Sequence, residues 1–181
     1  DSFFSKQLPQ LDFSEIDHKS GIASRAASGN IVAYLPDHVE NLIVASADLS
    51  NSDKTESYLK KKGAFKYHDF TGAFLEAGVS ELTMAAIASG MALHGGVIPA
   101  CATSFVFSDY MKPAIRLAAL MELQVIYLWT HDAFRVGEDG PTHQPVEHEA
   151  QLRLLEQLRN HSKHRSLLAL RPADSYETNV A

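Results

Sequence analysis

Short, continuously apolar runs alternate along this chain with longer segments whose apolar positions recur at helical spacing. Leu42-Ile43-Val44-Ala45 is the first such run, and an unbroken apolar stretch of this kind reads as a strand covered on both faces. Ala73-Phe74-Leu75, Val97-Ile98-Pro99-Ala100-Cys101-Ala102 and Ser166-Leu167-Leu168-Ala169-Leu170 repeat the signal, and it is strongest over Gln124-Val125-Ile126-Tyr127-Leu128-Trp129-Thr130. Between them the helical period takes over. One helix is predicted from Ser20-Gly21 through Ile22, Ala26, Ile31, Val32 and Leu35, where Pro36 stops it. A second opens at Ser80-Glu81, carries Met84, Ile87, Ala88, Met91 and Ala92 at helical spacing, and closes at Gly95-Gly96. A third runs through Tyr110, Ile115, Leu117, Ala118 and Leu120, with Pro113 marking a kink or a late start. Further helices are predicted over Val146 to Leu158 and from Pro172-Ala173-Asp174 onward. The polar stretch from Ser50 to Lys62, ending in Lys60-Lys61-Lys62-Gly63, reads as a long surface excursion with a solvated lysine face. Residues 1–19 lack a clear period and carry Pro9, so they are read as a linker or edge segment ahead of a domain over 20–181.

Strands alternating with helices define the fold class: α/β, three layers, with a central and mainly parallel sheet. Ligands of such sheets collect outside the carboxyl ends of the strands. The segments leaving those ends are 47–52, 78–81, 103–110 and 131–143, polar loops that include Gly78, Gly137 and Gly140.

Composition narrows the function classes. With 181 residues, 45% hydrophobic and 21% charged, the chain suits one globular domain. A net charge of -6 argues against a nucleic-acid or anionic-membrane surface, and no apolar run approaches the ~20 residues of a membrane span. The single cysteine, Cys101, forms no internal bridge and points to a reducing compartment, here the cytoplasm. The chain opens at Asp1 and stops within the predicted helix Tyr176 to Ala181, so a piece of a longer polypeptide is expected.

Three groups of residues could carry chemistry. Glu81 falls in the first turn of a helix. It is either an acid that complements the helix dipole, worth ~0.3–1 kcal/mol, or a general acid in an apolar pocket that raises its pKa. Phe107 and Tyr110 are three apart on one helical face, either a core pair or a platform for a flat heterocycle, with Phe105 close by. The loop from Thr130 to Pro145 is long for a compact domain, and such loops are usually functional. Its His131, Asp139 and His143 suit hydrogen bonding to a hydroxylated substrate and proton shuttling better than metal binding, since no pair has zincin spacing. Neither a Gly-x-Ser-x-Gly elbow, a Gly-x-Gly-x-x-Gly fingerprint nor a P-loop occurs.

Taken together and in order, several motifs resemble transketolase. They are Ser46-Ala47-Asp48-Leu49, Gly78-Val79-Ser80-Glu81, Leu93-His94-Gly95-Gly96, the stretch from Phe107 to Leu120, Thr130-His131-Asp132, Gly137-Glu138-Asp139-Gly140-Pro141-Thr142-His143-Gln144-Pro145 and Arg171-Pro172-Ala173-Asp174. The similarity is to the family's pyrimidine-binding domain, a module of the thiamine-diphosphate-binding fold, and covers roughly residues 20–181. The resemblance implies that Glu81 is the catalytic glutamate that hydrogen-bonds the aminopyrimidine of thiamine diphosphate, the proton sharing that lets the cofactor form its nucleophilic carbon. It implies cofactor contacts at Phe107, Tyr110 and Asp48 as well. Arg25 and Ser52 match sugar-phosphate ligands, His131 and His143 match substrate-binding and catalytic histidines, and Asp139 matches the acid that recognises the donor's C2 hydroxyl.

Two positions depart from the family pattern. Ser104 stands where a third aromatic of the pyrimidine pocket is usual, with Phe105 as the neighbour that could stand in, and Leu82 follows Glu81 where many members carry histidine. A Gly-Asp-Gly motif with a distant asparagine, which in the family holds Mg2+ and the diphosphate, does not occur in this sequence. The implied enzyme is therefore a cytoplasmic homodimer whose partner subunit supplies the diphosphate-binding domain. It would move a two-carbon ketol unit between sugar phosphates, while this chain alone would be inactive. Two rival readings are 1-deoxyxylulose-5-phosphate synthase, which shares the Glu81 chemistry, and a non-catalytic dimerisation module that gains nothing from a polar His/Asp loop.

Overall fold

The computed structural model describes residues 2–5, 8–16, 19–132 and 136–181. Four strands form one parallel sheet: β1 (Leu42–Ser46), β2 (Phe74–Glu76), β3 (Ile98–Ser104) and β4 (Ile126–Thr130), in the order β2-β1-β3-β4. Register runs from Leu42↔Ile98 to Ser46↔Ala102 between β1 and β3, and from Ala100↔Ile126 to Ser104↔Thr130 between β3 and β4. Because all pairs are parallel, every strand ends on the same side of the sheet, and the loops that follow meet there.

Helices cover both faces, as the apolar runs require. On one face Val32 of α1 (Ser24–Tyr34) and Tyr58 of α2 (Glu56–Lys62) pack with Leu42, Val44, Phe74, Ile98 and Ala100. On the other, Ala45 and Cys101 meet Met84, Ala85 and Ala88 of α3 (Glu81–His94) and Met111, Ala114 and Ile115 of α4 (Ser108–Leu120). Successive residues of β1 and β3 thus point to opposite cores, the period-two alternation of a doubly covered strand. Cys101 lies wholly inside, where burial pushes its thiol up to about 12. Two shorter helices complete the domain, α5 (His148–Leu155) and α6 (Ser175–Val180), the latter capped by Asp174, which accepts from the Tyr176 and Glu177 amides.

Two expectations from the apolar pattern are corrected. The stretch from Ser50 to Lys62 is not a surface excursion throughout: it folds into α2, and Tyr58 is fully buried, its hydroxyl donating to the Leu42 carbonyl at 2.6 Å. The lysines do stay outside, with Lys60 paired to Glu56 and Lys61 to Asp37. Residues 166–170 form no strand. The Glu156 carboxylate accepts from the Ala169 amide at 2.7 Å and Arg153 donates to the Ala169 carbonyl at 2.9 Å, so side chains at the end of α5 take backbone groups that a ladder would have used. Pro113 lies inside α4 and does not end it, since the helix begins five residues earlier at Ser108.

Candidate active site

At the carboxyl end of β1 the chain turns through a loop built on a buried acid that the sequence reading passed over. Asp53 is only 3% exposed. Ser46 at the end of β1 donates its hydroxyl to Asp53 Oδ2 at 2.6 Å, and Thr55 donates from its amide and hydroxyl to Oδ1 at 3.0 and 2.7 Å. Burial pushes the Asp53 carboxyl above its ordinary range, against the pull of these hydrogen bonds and of His131 nearby. The one available signal was the Asp-x-Thr spacing, a local side-chain-to-backbone turn just ahead of a helix. Over this anchor sits an open cleft of about 390 Å³ lined by Arg25, Asp48, Ser52 and Lys54. Asp48 and Lys54 both adopt left-handed backbone, at φ 62 and 67.

The loop leaving β4 reaches the same cleft. His131 is also left-handed, at φ 56, and its Nε2 lies 2.9 Å from Arg25 Nη1. A guanidinium only donates, so Nε2 must be the acceptor and the imidazole proton sits on Nδ1, which donates to Thr130 Oγ1 at 2.9 Å. Burial first, and Arg25 next, hold His131 below its ordinary value of 6.5; His143 adds to this, while Asp139 and Asp132 oppose it. Arg25, Ser52, Asp48 and His131 are therefore brought together. Asp139 is exposed and makes no direct contact with them, though its charge is felt at His131.

The aromatic pair stands at the start of α4. Phe107 and Tyr110 are stacked with centroids 6.1 Å apart, and His143 meets Phe107 edge-on at 5.1 Å, so the second loop histidine joins the aromatic platform. Phe105 does not stand in for the aromatic missing at Ser104. It is 6% exposed and packs on Trp129 and His148, because the 3-10 turn over Phe105–Phe107 that follows β3 tucks its ring against β4 and α5. Glu81 begins α3, the neighbour of α4, and is 6% exposed. Among the described residues its carboxylate accepts no hydrogen bond and meets no cation. Leu82 beside it is half exposed.

Elsewhere the ligand-type side chains Asp109, Glu147 and His148 approach one another within 4.8 Å, and Lys112 already pairs with the same Asp109 carboxylate and bonds Gln151. Arg171 pairs with Asp132 and Glu149, fastening the end of the chain to the loop after β4.

Residues 20–181 match the family model described as transketolase, pyrimidine-binding domain. The chain belongs to the transketolase family. It is 47% identical over 162 residues to the transketolase of Bacillus subtilis, an alignment covering 90% of this chain and 23% of that protein. Among solved structures, the transketolase of Leishmania mexicana superposes with a TM-score of 0.86 at 37% identity, over 98% of this chain and 25% of that one. A split-gene transketolase, described as an inactive β4 tetramer, matches with a TM-score of 0.61 at 25% identity, over 87% of this chain and 46% of that one. The chain thus spans about a quarter of the length of the first two transketolases. The matches favour this family over the synthase alternative.

Proposed function

We propose that this chain supplies the pyrimidine-binding side of an enzyme that moves a two-carbon ketol unit from a ketose phosphate to an aldose phosphate, with thiamine diphosphate and Mg2+. The observation that carries the reading is Glu81. The residue is 6% exposed at the start of α3 and its carboxylate is free of protein partners among the described residues, so it is open to a ligand's hydrogen bond. A protonated ring nitrogen, or one that takes the carboxyl proton, supplies that bond. The stacked Phe107–Tyr110 pair offers the flat apolar wall that a heterocycle requires. These residues fit the aminopyrimidine end of thiamine diphosphate, which when bound supplies the electron sink for breaking the ketose carbon–carbon bond.

Each side chain then has a task set by its surroundings. Glu81 holds or gives a proton at its carboxyl, and Asp48 borders the cofactor at the end of β1. The Arg25 guanidinium and Ser52 hydroxyl donate to the sugar phosphate, the first in the forked geometry that phosphate accepts. Asp139 accepts from a sugar hydroxyl. His131, kept neutral by burial and by Arg25, and His143, on the aromatic platform, line the sugar's path and can pass protons there. Residues 1–181 contain no Gly-Asp-Gly motif, so the diphosphate and Mg2+ belong to another domain, contributed across a homodimer in the cytoplasm. The inactive split-gene relative supports the view that this side alone does not turn over.

The test is Glu81→Gln in the assembled enzyme. The amide keeps the shape but cannot give a carboxyl proton, so hydrogen–deuterium exchange at the cofactor's reactive carbon slows by ~10²-fold or more. Unchanged exchange would remove Glu81 from the reaction, and absent ketol transfer by the unmodified assembly would leave a non-catalytic dimerisation module.

A further inference from the structure

We propose that Lys54 is an additional anion-binding residue of the β1 cleft and sets its preference for phosphorylated over unphosphorylated sugars. The assignment rests on the reading of that cleft as the sugar-phosphate site.

Three independent observations place Lys54 in this role. Its backbone is left-handed at φ 67, a conformation that glycine or asparagine adopts at lower cost. A lysine there carries a backbone cost that glycine would not. Second, its stem lies directly on α1. A Cβ built on Gly29 would stand 2.9 Å from Lys54 Cβ, so the bare glycine is what lets the stem pass. Gly29 follows Arg25 by one helical turn, on the same face, which brings the two cationic side chains to one wall of the cleft. Third, the Lys54 ammonium has no acidic partner among the described residues, whereas Lys60 and Lys61 are paired to Glu56 and Asp37.

The charge around them is arranged for an anion. Arg25 donates to a neutral imidazole and keeps its full positive charge. The nearest buried carboxylate, Asp53, is turned under the loop toward Ser46 and Thr55. Asp48 is the only carboxylate among the lining residues, and it is exposed at the rim. A phosphate dianion in this cleft gains a planar fork from Arg25 and a movable point charge from Lys54, with the Ser52 hydroxyl as a third donor. An unphosphorylated sugar offers these cations only neutral hydroxyls and forms no ion pair with them, so the lysine discriminates by charge.

The probe is inorganic phosphate, titrated into the chain and followed through the amide resonances of Ser52 and Lys54. Lys54→Met is expected to weaken binding about tenfold, Lys54→Arg to recover most of it, and added salt to weaken the wild type more than the Met variant. Gly29→Ala provides a second route: its methyl would stand 2.9 Å from Lys54 Cβ, an atom fixed to the backbone, so the loop must shift and phosphate affinity falls several-fold together with some thermal stability. In the assembled enzyme Lys54→Met raises KM for phosphorylated acceptors about tenfold and affects unphosphorylated acceptors far less. Wild-type phosphate affinity in Lys54→Met, or no phosphate binding by the unmodified chain, overturns the assignment whatever the enzyme does. Lys54-dependent phosphate binding by a chain whose assembly transfers no two-carbon unit overturns the proposed function and supports the role of Lys54.

Discussion

His131 shows how much a single side chain can be fixed by its neighbours. With Arg25 donating to one ring nitrogen and Thr130 accepting from the other, the imidazole has one tautomer and one charge state, neutral. Its folded pKa lies below the ordinary 6.5, because burial and then Arg25 disfavour the cation. Above 6.5 both folded and unfolded chains hold it neutral, and its contribution to stability is complete. As pH falls from there through the lowered folded value, the unfolded chain takes up the proton first and that contribution is lost. His131→Gln should therefore flatten the acid limb of stability, read as urea midpoints at about pH 7.5 and about pH 5. An unchanged acid limb would remove the Arg25–His131 contact. Asp53 has the opposite sign: its folded value is raised above 3.8, so its contribution is present below that and lost as pH rises through the folded value. Asp53→Asn, which can still accept from Thr55 and donate to Ser46, is expected to fold and to lose this limb. Glu81, His131 and His143 stand in motifs that the sequence displays, whereas the approach of Arg25 and Ser52 to one cleft is visible only in the fold. Asp53 was not legible in the sequence, since an acid among Asn51, Ser52 and Lys54 reads as solvated until Ser46 from β1 is seen to close over it.

At the scale of elements, continuous apolar runs found β1, β2, β3 and β4 because each is covered on at least one face by helices that the 3.6-residue period also marked. The same signal failed over 166–170, where the apolar letters are right but the edges are not free: Glu156 and Arg153 hold the backbone of Ala169 from the side. The consequence is measurable. Leu168 is 74% exposed, so Leu168→Ser should stay within about 0.5 kcal/mol of the wild type in urea unfolding. Leu152 of α5 is 5% exposed, and Leu152→Ala should cost ~2–5 kcal/mol. A large loss at Leu168 would mean that this segment is a buried strand after all. The opposite error occurred at α2, where a lysine-rich outer face hid the fully buried Tyr58.

At the scale of the whole molecule, the parallel sheet explains why residues as far apart in sequence as Arg25, Asp48, Glu81, Phe107 and His131 belong to one edge of the domain. They stand on the loops and helix starts that follow successive strands, with Arg25 reaching over from α1. That convergence is what the sequence could indicate only through its order of motifs. Under the proposed function the domain would offer an acid and an aromatic wall to one end of the cofactor only, about nine heavy atoms, worth ~3 kcal/mol at ~0.3 kcal/mol per atom and so weaker than a millimolar constant. The decisive measurement is calorimetry with thiamine diphosphate and Mg2+, first on this chain and then on the chain joined by a transketolase diphosphate-binding domain. The proposed half-site predicts no measurable heat of binding from the chain alone and clear binding, abolished or weakened by Glu81→Ala, once the second domain is present. Micromolar binding by the chain alone, or binding by the assembly that ignores Glu81, would contradict it.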